Sequence, residues 1–187
     1  MRERILLPGE TRRSFLGKGI VGGALLVLGG SGATLVFRRT RLRTPLAPLK
    51  VLSLEEYSVI ASIADRVIPA GNGFPSPTEM RCAEHVDELL APAHPGAVKE
   101  LKQLIALFEN ALAGFLFDRR MSPFTQLAPE DQDDVLREWR DSRITLRRSG
   151  FKALKNLVCA GYYCNPATYP AVGYPGPPDL LSMEPVR

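Results

Sequence analysis

The chain has few of the residues that cofactor and metal sites require. Its 187 residues include three cysteines and two histidines. No Cys-x-x-Cys-His haem attachment is present, and three scattered cysteines do not make a standard iron–sulfur site. No Gly-x-Gly-x-x-Gly loop follows a strand, no phosphate-binding loop occurs, and the serines lack a recognisable base. The sequence therefore offers no familiar catalytic or cofactor centre of its own.

One pair of candidate metal ligands is visible. Cys82 and His85 lie three residues apart in a predicted helix and therefore share a face. A di-iron helical bundle would need Glu-x-x-His on two helices, and neither histidine has a glutamate three residues before it. A stand-alone metal protein of the cell envelope, built on Cys82 and His85, is thus an alternative hypothesis. A satisfied histidine beside a small buried cysteine is the simpler interpretation.

The odd number of cysteines leaves at least one without a disulfide partner in the chain. Cys159 and Cys164 are five residues apart, which turns them away from each other on a helix, so we expect no bond between them. Two alternatives remain: Cys82 pairs with one of these two, or all three are small buried residues.

Alternating runs typical of β-strands and internal repeats are also absent.

Basic charge is concentrated at one end. Residues 1–43 contain nine Lys+Arg and two Asp+Glu, which leaves fifteen basic and eighteen acidic residues in the remainder. Because nucleic-acid binding requires a clustered basic face, we expect no nucleic acid among the partners.

What the sequence does have is an export signal. Arg12 and Arg13 are followed by Phe15 and Leu16 and then by the apolar run 19–37. Such a combination is typical of a twin-arginine leader, which the twin-arginine translocase reads as an address. We therefore expect a leader helix and a location in the periplasm or cell envelope. A simple membrane anchor with basic flanks is the alternative.

The sequence does not decide whether this leader is cleaved. Ser31-Gly32-Ala33 supplies the small residues that a signal peptidase requires. The run 19–37 is just long enough to span a bilayer, and the four arginines that follow it are unusual on the outward side. Cleavage and retention as an inner-membrane anchor both stay open. We divide the chain into residues 1–43, the leader and basic linker, and residues 44–187, one helical domain.

Five helices are predicted in this domain, so the expected fold class is all-α, an irregular bundle. The first follows a proline-containing linker over residues 44–52 and has a capping box, with Ser53 as N-cap and Glu56 as its partner. It ends at Pro69, and its apolar residues occupy more than one stripe. The second helix is predicted from another capping box, with Ser76 as cap, Glu79 as its partner and Pro77 at the first position. The third helix is predicted over 97–117, the fourth from Pro129 and the fifth over 144–163.

Charged side chains in two of these helices have a simple interpretation. Arg147, Arg148, Lys152 and Lys155 line one side of the last helix and are expected to be a solvated face. Asp65 and Arg66, inside the apolar first helix, are expected at its exposed edge, with a buried pair or an interface contact as alternatives.

Two apolar or aromatic segments are candidate contact surfaces. Residues 111–117, which include Phe115 and Phe117, are apolar on all sides, and such a helix end is buried or faces another protein. The tail 164–178 is rich in Pro, Gly and Tyr, and is predicted to be extended, neither helix nor inner strand. Its tyrosines lose little entropy on docking to a partner. A coil laid over its own domain is the alternative.

These features together resemble the gluconate 2-dehydrogenase subunit 3 family. The resemblance covers about residues 53–178, and the twin-arginine leader precedes it. It is carried by Leu54-Glu55-Glu56-Tyr57, Ile63-Ala64-Asp65-Arg66-Val67-Ile68-Pro69, Phe151-Lys152-Ala153-Leu154-Lys155, Gly161-Tyr162-Tyr163-Cys164-Asn165-Pro166 and Val172-Gly173-Tyr174-Pro175-Gly176-Pro177-Pro178.

The resemblance implies a small subunit of a membrane-bound dehydrogenase of sugars or alcohols. In that family the large subunit is a flavoprotein of the glucose–methanol–choline type, which holds FAD and the active site. The small subunit's leader carries the pair out, and the small subunit itself helps the large one to fold and stays bound to it. Electrons then pass to an acceptor such as a cytochrome c subunit. The four arginines after the apolar run are the one departure from the expected pattern.

We therefore expect an accessory subunit with no cofactor or catalytic residues of its own. A membrane-anchored adaptor without a redox link is a further alternative. The residues expected to contact the large subunit are Tyr57, Asp65, Arg66, Phe115, Phe117, Tyr162, Tyr163, Asn165, Pro166, Tyr169 and Tyr174.

Overall fold

A computed structural model describes residues 40–68, 70–71, 73–109 and 122–177. Within these ranges the chain is all-α, as expected, and the only β-type pairing is an isolated bridge between Gly71 and Phe74. None of the helices in these ranges has the length and apolar character needed to cross a membrane. The elements are α1 (Leu54–Val67), α2 (Cys82–Leu90), α3 (Pro95–Glu109), a 3-10 turn (Phe124–Gln126), α4 (Pro129–Arg140), α5 (Thr145–Tyr163), a second 3-10 turn (Pro166–Thr168) and α6 (Tyr169–Val172).

Helix α1 begins with the capping box that the sequence predicts. The Glu56 amide donates to Ser53 Oγ at 3.2 Å, and the Ser53 amide donates to Glu56 Oε2 at 2.8 Å. Both backbone donors are therefore satisfied at the start of the helix. The predicted two-sided burial is also confirmed, because Val59, Ile60 and Ile63 are all fully buried. This makes α1 the central helix of the domain.

The start of α2 differs from the prediction. The second capping box does form, since Ser76 and Glu79 exchange hydrogen bonds of 2.8 and 3.2 Å. However, residues 77–81 are a turn, and the α-helix begins only at Cys82. Arg81 has a φ of 51°, in the left-handed region, which interrupts the helical ladder. The box therefore caps a turn, and the predicted helix start was wrong.

Helix α5 packs against α2, α1 and α4. It approaches α2 most closely at Gly161, where a Cβ atom would lie 2.7 Å from Val86 Cγ2 and 2.8 Å from the carbonyl oxygen of Cys82. The backbone oxygen could not move aside without shifting α2. The absence of a side chain at Gly161 therefore sets the spacing of the two helices.

A cluster of aromatic side chains packs together where α3, the first 3-10 turn and α4 meet. The Phe108 ring packs edge-on against Phe124 and Trp139, with centroid distances of 4.6 and 4.7 Å. Arg147 lies over Trp139 with its guanidinium carbon 5.4 Å from the ring centroid, and its side chain is buried. The prediction that Arg147 belongs to a solvated face was wrong, because stacking on tryptophan holds the guanidinium inside. Arg148, Lys152 and Lys155 are exposed, as expected.

The tail also differs from the prediction of an extended chain. Residues 166–168 form a 3-10 turn and residues 169–172 form the short helix α6. Pro166 and Pro170 lie in the first turn of these elements, where a helix does not use the missing N–H group. Thr168 is fully buried, so this part of the tail is folded onto the domain. In the described part of the tail, residues 164–165 and 173–177 are not helical.

Candidate functional site

Two of the tyrosines predicted as partner contacts lie in the core instead. Tyr57 is 6% exposed, and its hydroxyl donates to Glu84 Oε1 at 3.0 Å. Tyr162 is fully buried, and its hydroxyl donates to the carbonyl of Pro75 at 2.6 Å. Burial raises the pKa of both hydroxyls above the ordinary tyrosine value. Both side chains therefore serve the fold and are not available as surface contacts.

The other predicted contacts in this region lie closer to the surface. Tyr163 is partly buried and packs edge-on against Tyr162. Asn165 accepts a hydrogen bond from the Ala167 amide and so caps the second 3-10 turn. Pro166 is exposed. Tyr169 and Tyr174, hereafter the tyrosine pair, stack edge-on at 5.0 Å across the end of the tail.

The tyrosine pair is held in place by a turn and not by the core. The Tyr174 amide donates to the carbonyl of Tyr169 at 3.0 Å, after Gly173 has reversed the chain with a φ of 67°. Tyr174 remains 45% exposed. The pair thus presents preordered aromatic surface, which favours binding because little side-chain freedom is left to lose.

Asp65 and Arg66 have separate environments. Asp65 is partly buried and pairs with Arg43 through a hydrogen bond of 2.6 Å, so its partner comes from the segment before α1. Arg66 instead lines a groove formed by residues of α1, α4 and α5. Neither residue is at a fully solvated helix edge, which the simpler interpretation had expected.

The groove beside Arg66 was not foreseen from the sequence. It has a volume of about 370 Å³. Apolar side chains form part of its wall and four cations surround them, although two of these cations, Arg137 and Arg140, pair with Asp134 and Asp141. The net positive charge is therefore small. The residues that line it are Arg66, Val67, Asp133, Leu136, Arg137, Arg140, Phe151 and Lys155.

Residues 40–52, which we call the strap, are attached to the domain by buried carboxylates that sequence reasoning missed. Asp87 of α2 accepts three backbone amides: Oδ2 from Lys50 at 2.6 Å, and Oδ1 from Val51 at 2.9 Å and from Leu52 at 2.7 Å. Glu84, one turn earlier, accepts the Leu46 amide at 3.0 Å. Spacing in the sequence does place both carboxylates on one face of α2, but it does not reveal what that face meets.

The strap explains why these carboxylates are tolerated in the interior. Asp87 is 2% exposed and Glu84 is 6% exposed. Burial by itself raises the pKa of Asp87, but the three strap amides together outweigh it and hold the pKa below the ordinary value. Lys102 of α3 adds a further link, because its ammonium donates to the Val51 carbonyl at 2.7 Å and pairs with Glu56 at 2.8 Å.

A third buried carboxylate, Glu109, lies at the end of α3. It accepts hydrogen bonds from both the amide and the hydroxyl of Thr125. Burial raises its pKa above the ordinary glutamate value, and the Thr125 hydrogen bonds oppose that shift. Thr125 Oγ1 in turn accepts the Arg41 amide at 2.9 Å. Glu109 therefore connects α3, the first 3-10 turn and the start of the strap.

The side chains of Cys82 and His85 contact backbone carbonyls inside the domain. The Cys82 thiol is buried and 3.4 Å from the carbonyl of Val158, and burial raises its pKa to about 12. His85 Nδ1 lies 3.2 Å from the carbonyl of Gly161. Among the described residues all three cysteines are free thiols, and no group of three or more His, Cys, Asp or Glu side chains is placed to hold a metal.

Several predicted residues lie outside the described ranges. These are the export-signal residues Arg12, Arg13, Phe15 and Leu16 and the aromatic candidates Phe115 and Phe117. For them the sequence predictions stand as they were made.

Comparison with known proteins identifies a family. The family model described as gluconate 2-dehydrogenase subunit 3 matches residues 54–176. No curated protein and no solved structure matches the chain. The family match spans α1 to the end of α6 and includes both core tyrosines and the tyrosine pair. This chain belongs to the gluconate 2-dehydrogenase subunit 3 family.

Proposed function

We propose that this chain is the small, non-catalytic subunit of a membrane-associated, FAD-dependent dehydrogenase of sugars or alcohols. The observation that carries the proposal is the family match over residues 54–176, because the family's name is that of a subunit of a dehydrogenase complex. The catalytic partner is a flavoprotein of the glucose–methanol–choline type. Electrons leave it for an acceptor such as a cytochrome c subunit.

The placement of the acidic side chains supports assigning catalysis to the partner. A catalytic acid or base has to come within hydrogen-bond distance of the substrate proton. The buried carboxylates Glu84 and Asp87 face the strap, and Glu109 faces Thr125. These groups connect parts of this chain to one another, which is the work of structural residues.

FAD is likewise assigned to the partner. The groove of about 370 Å³ is near the lower end of the roughly 300–1,000 Å³ that ligand pockets occupy. Its cations are partly neutralised by their own acidic neighbours, and the sequence has no glycine-rich dinucleotide loop after a strand. These features do not fit a dinucleotide with two phosphates.

The exposed parts of the predicted contact set are the proposed docking surface for the flavoprotein. Tyrosine is enriched in the buried centre of protein interfaces, and the tyrosine pair is preordered and partly exposed. Arg66 and the groove beside it offer a second contact region. Binding there would stabilise the flavoprotein in the complex.

Export of the pair is proposed to depend on the twin arginines of this chain. The test is to co-express both subunits, with this chain tagged at its C terminus, and to measure each by immunoblot in the cytoplasmic, periplasmic and membrane fractions. Replacing Arg12 and Arg13 by lysine should leave both chains in the cytoplasm. The matched control replaces Arg38 and Arg39, another adjacent arginine pair, by lysine and should leave export intact. Export of the flavoprotein with the first variant would contradict the proposal.

A further inference from the structure

The strap lies outside the matched family region and yet belongs to the folded domain. The family match begins at residue 54, and the sequence predicts only a linker over residues 44–52. In the structure six backbone amides of the strap donate to side chains of the domain, at residues 41, 43, 46, 50, 51 and 52. A loose linker would direct these amides to water. The strap is therefore ordered by the domain and not by its own sequence.

The acceptors come from separate elements of the fold. At its beginning, the strap is held by Thr125 of the first 3-10 turn and by Ser58 and Asp65 of α1. Its middle and end are held by Glu84 and Asp87 of α2. These acceptors are brought together only when the 3-10 turn, α1 and α2 are packed. The strap can therefore form these hydrogen bonds only with a folded domain.

We propose that residues 40–52 remain with the domain after export, because any cut by a signal peptidase falls N-terminal to Thr40. This inference rests on the proposed export of the chain. The step is hydrolysis of one peptide bond by water, which leaves a carboxylate on the leader and an amine on the domain. The bond after Ala33 follows the small residues that such a peptidase requires and lies seven residues before Thr40.

The strap's hydrogen bonds oppose cleavage within it. An extended peptide commonly binds a partner protein by adding its backbone amides and carbonyls to an exposed strand edge. Six strap amides already donate to the domain, and the Val51 carbonyl accepts from Lys102. Before a peptidase could bind the strap, these hydrogen bonds to the domain would have to break.

The buried carboxylates provide the second argument. Without the strap, Asp87 and Glu84 of α2 would lose the amides that they accept from residues 46–52. Hydrogen bonds to a charged acceptor stabilise a fold more than neutral ones do. Loss of the strap would therefore destabilise the mature domain, whereas loss of the leader before Thr40 would remove none of these hydrogen bonds.

The first test is N-terminal sequencing and intact mass of the full chain, tagged at its C terminus and purified from the envelope fraction. We expect the first residue to be Thr40 or an earlier one, and an uncut chain fits equally, since it keeps the strap. A first residue between 41 and 53 would overturn the inference. A chain found only in the cytoplasm would contradict the proposed export, and the second test then decides the inference by itself.

The second test measures trypsin cleavage after Lys50 in the purified full chain. Because Asp87 accepts the amide of that bond and the amides directly before and after it, we expect Asp87→Ala to be cut there at least about tenfold faster than the unmodified protein. Glu100→Ala changes an exposed acid on α3 and is the matched control, with no change in rate expected. Equally rapid cutting of all three proteins would overturn the inference.

A milder variant is used if Asp87→Ala does not show the helical circular dichroism of the unmodified protein. Within the strap contacts, Ser58→Ala removes the acceptor of the Arg43 amide; it also removes the hydrogen bond that the hydroxyl donates to the Leu54 carbonyl inside α1. We expect faster trypsin cleavage after Arg43 and an unchanged rate after Lys50. An unchanged rate at both sites would show that the strap is not held as the structure describes.

Discussion

Replacing Asp87 by asparagine should strongly destabilise the isolated domain. Asparagine keeps the shape of the side chain but has only one oxygen. If that oxygen stays with the amides of Val51 and Leu52, the NH₂ group faces the Lys50 amide, donor against donor. One hydrogen bond to a charged acceptor is lost, and the other two become hydrogen bonds to a neutral one.

The size of the effect follows from these changes. A hydrogen bond to a charged group contributes about 1.5–3 kcal/mol and a neutral one about 0.5–1.5 kcal/mol. Because the amide is also cheaper to bury than the carboxylate, part of the loss is recovered. We therefore expect the free energy of unfolding to fall by about 2–4 kcal/mol at pH 7. Urea denaturation followed by circular dichroism measures it, and the matched control is Asp134→Asn, which breaks an exposed ion pair worth about 0–1 kcal/mol.

The pH dependence provides an independent check. The folded-state pKa of Asp87 is below its ordinary value, so the unfolded chain binds more protons than the folded one in acid. The stabilisation by the carboxylate is therefore complete above the unfolded pKa of about 3.9 and is lost as pH falls through the folded pKa. The difference between the two proteins should narrow below about pH 4. A loss at pH 7 no larger than that of Asp134→Asn would refute the reasoning.

Three further predictions concern the core, the pH response and the docking surface. Gly161→Ala should lower the free energy of unfolding by about 1–3 kcal/mol, because its Cβ would meet the backbone of α2; a gain in stability on denaturation would contradict this. The Glu109→Gln protein should become progressively more stable than the unmodified protein as pH rises from about 4.5 to 7, because the raised pKa of Glu109 makes its ionised form unfavourable in the fold. A difference in the free energy of unfolding that does not change with pH would contradict this. Replacing Tyr169 and Tyr174 together by alanine should weaken co-purification of the flavoprotein with little change in thermal stability, while Leu89→Ala, at another exposed apolar residue, should affect neither; equal effects would argue against the tyrosine pair as docking surface.

Local signals in the sequence predicted the helices well where neighbouring residues decide the structure. The Ser53–Glu56 capping box, the proline at the start of α4 and the last helix, predicted over residues 144–163 and found as α5, are all confirmed. The second capping box shows the limit of such signals. It forms as predicted, but Arg81 adopts the left-handed conformation and α2 begins only after it, at Cys82.

Burial of individual polar and aromatic side chains was harder to predict. Tyr57 and Tyr162 were predicted as partner contacts, but each hydroxyl finds an internal acceptor, which permits burial of the side chain. Arg147 was expected in solvent, and stacking on Trp139 holds it inside. In each case the deciding partner is distant in the sequence or comes from another helix.

The strap could not be predicted for the same reason. Its amides meet Glu84 and Asp87 across 35 or more positions of sequence, and a backbone amide leaves no signature in the amino-acid pattern. In the tail, the many prolines suggested an extended chain. The structure shows that proline in the first turn is compatible with short helices.

The central claim is that this chain works as the partner of a flavoprotein. The most direct measurement is purification of the tagged full chain from the envelope of cells that express both subunits, with the flavin absorbance and the mass of the companion chain determined. The account predicts a roughly equimolar flavoprotein that keeps its FAD, with dehydrogenase activity that is absent from this chain alone. A chain that purifies without a companion and without flavin would contradict it.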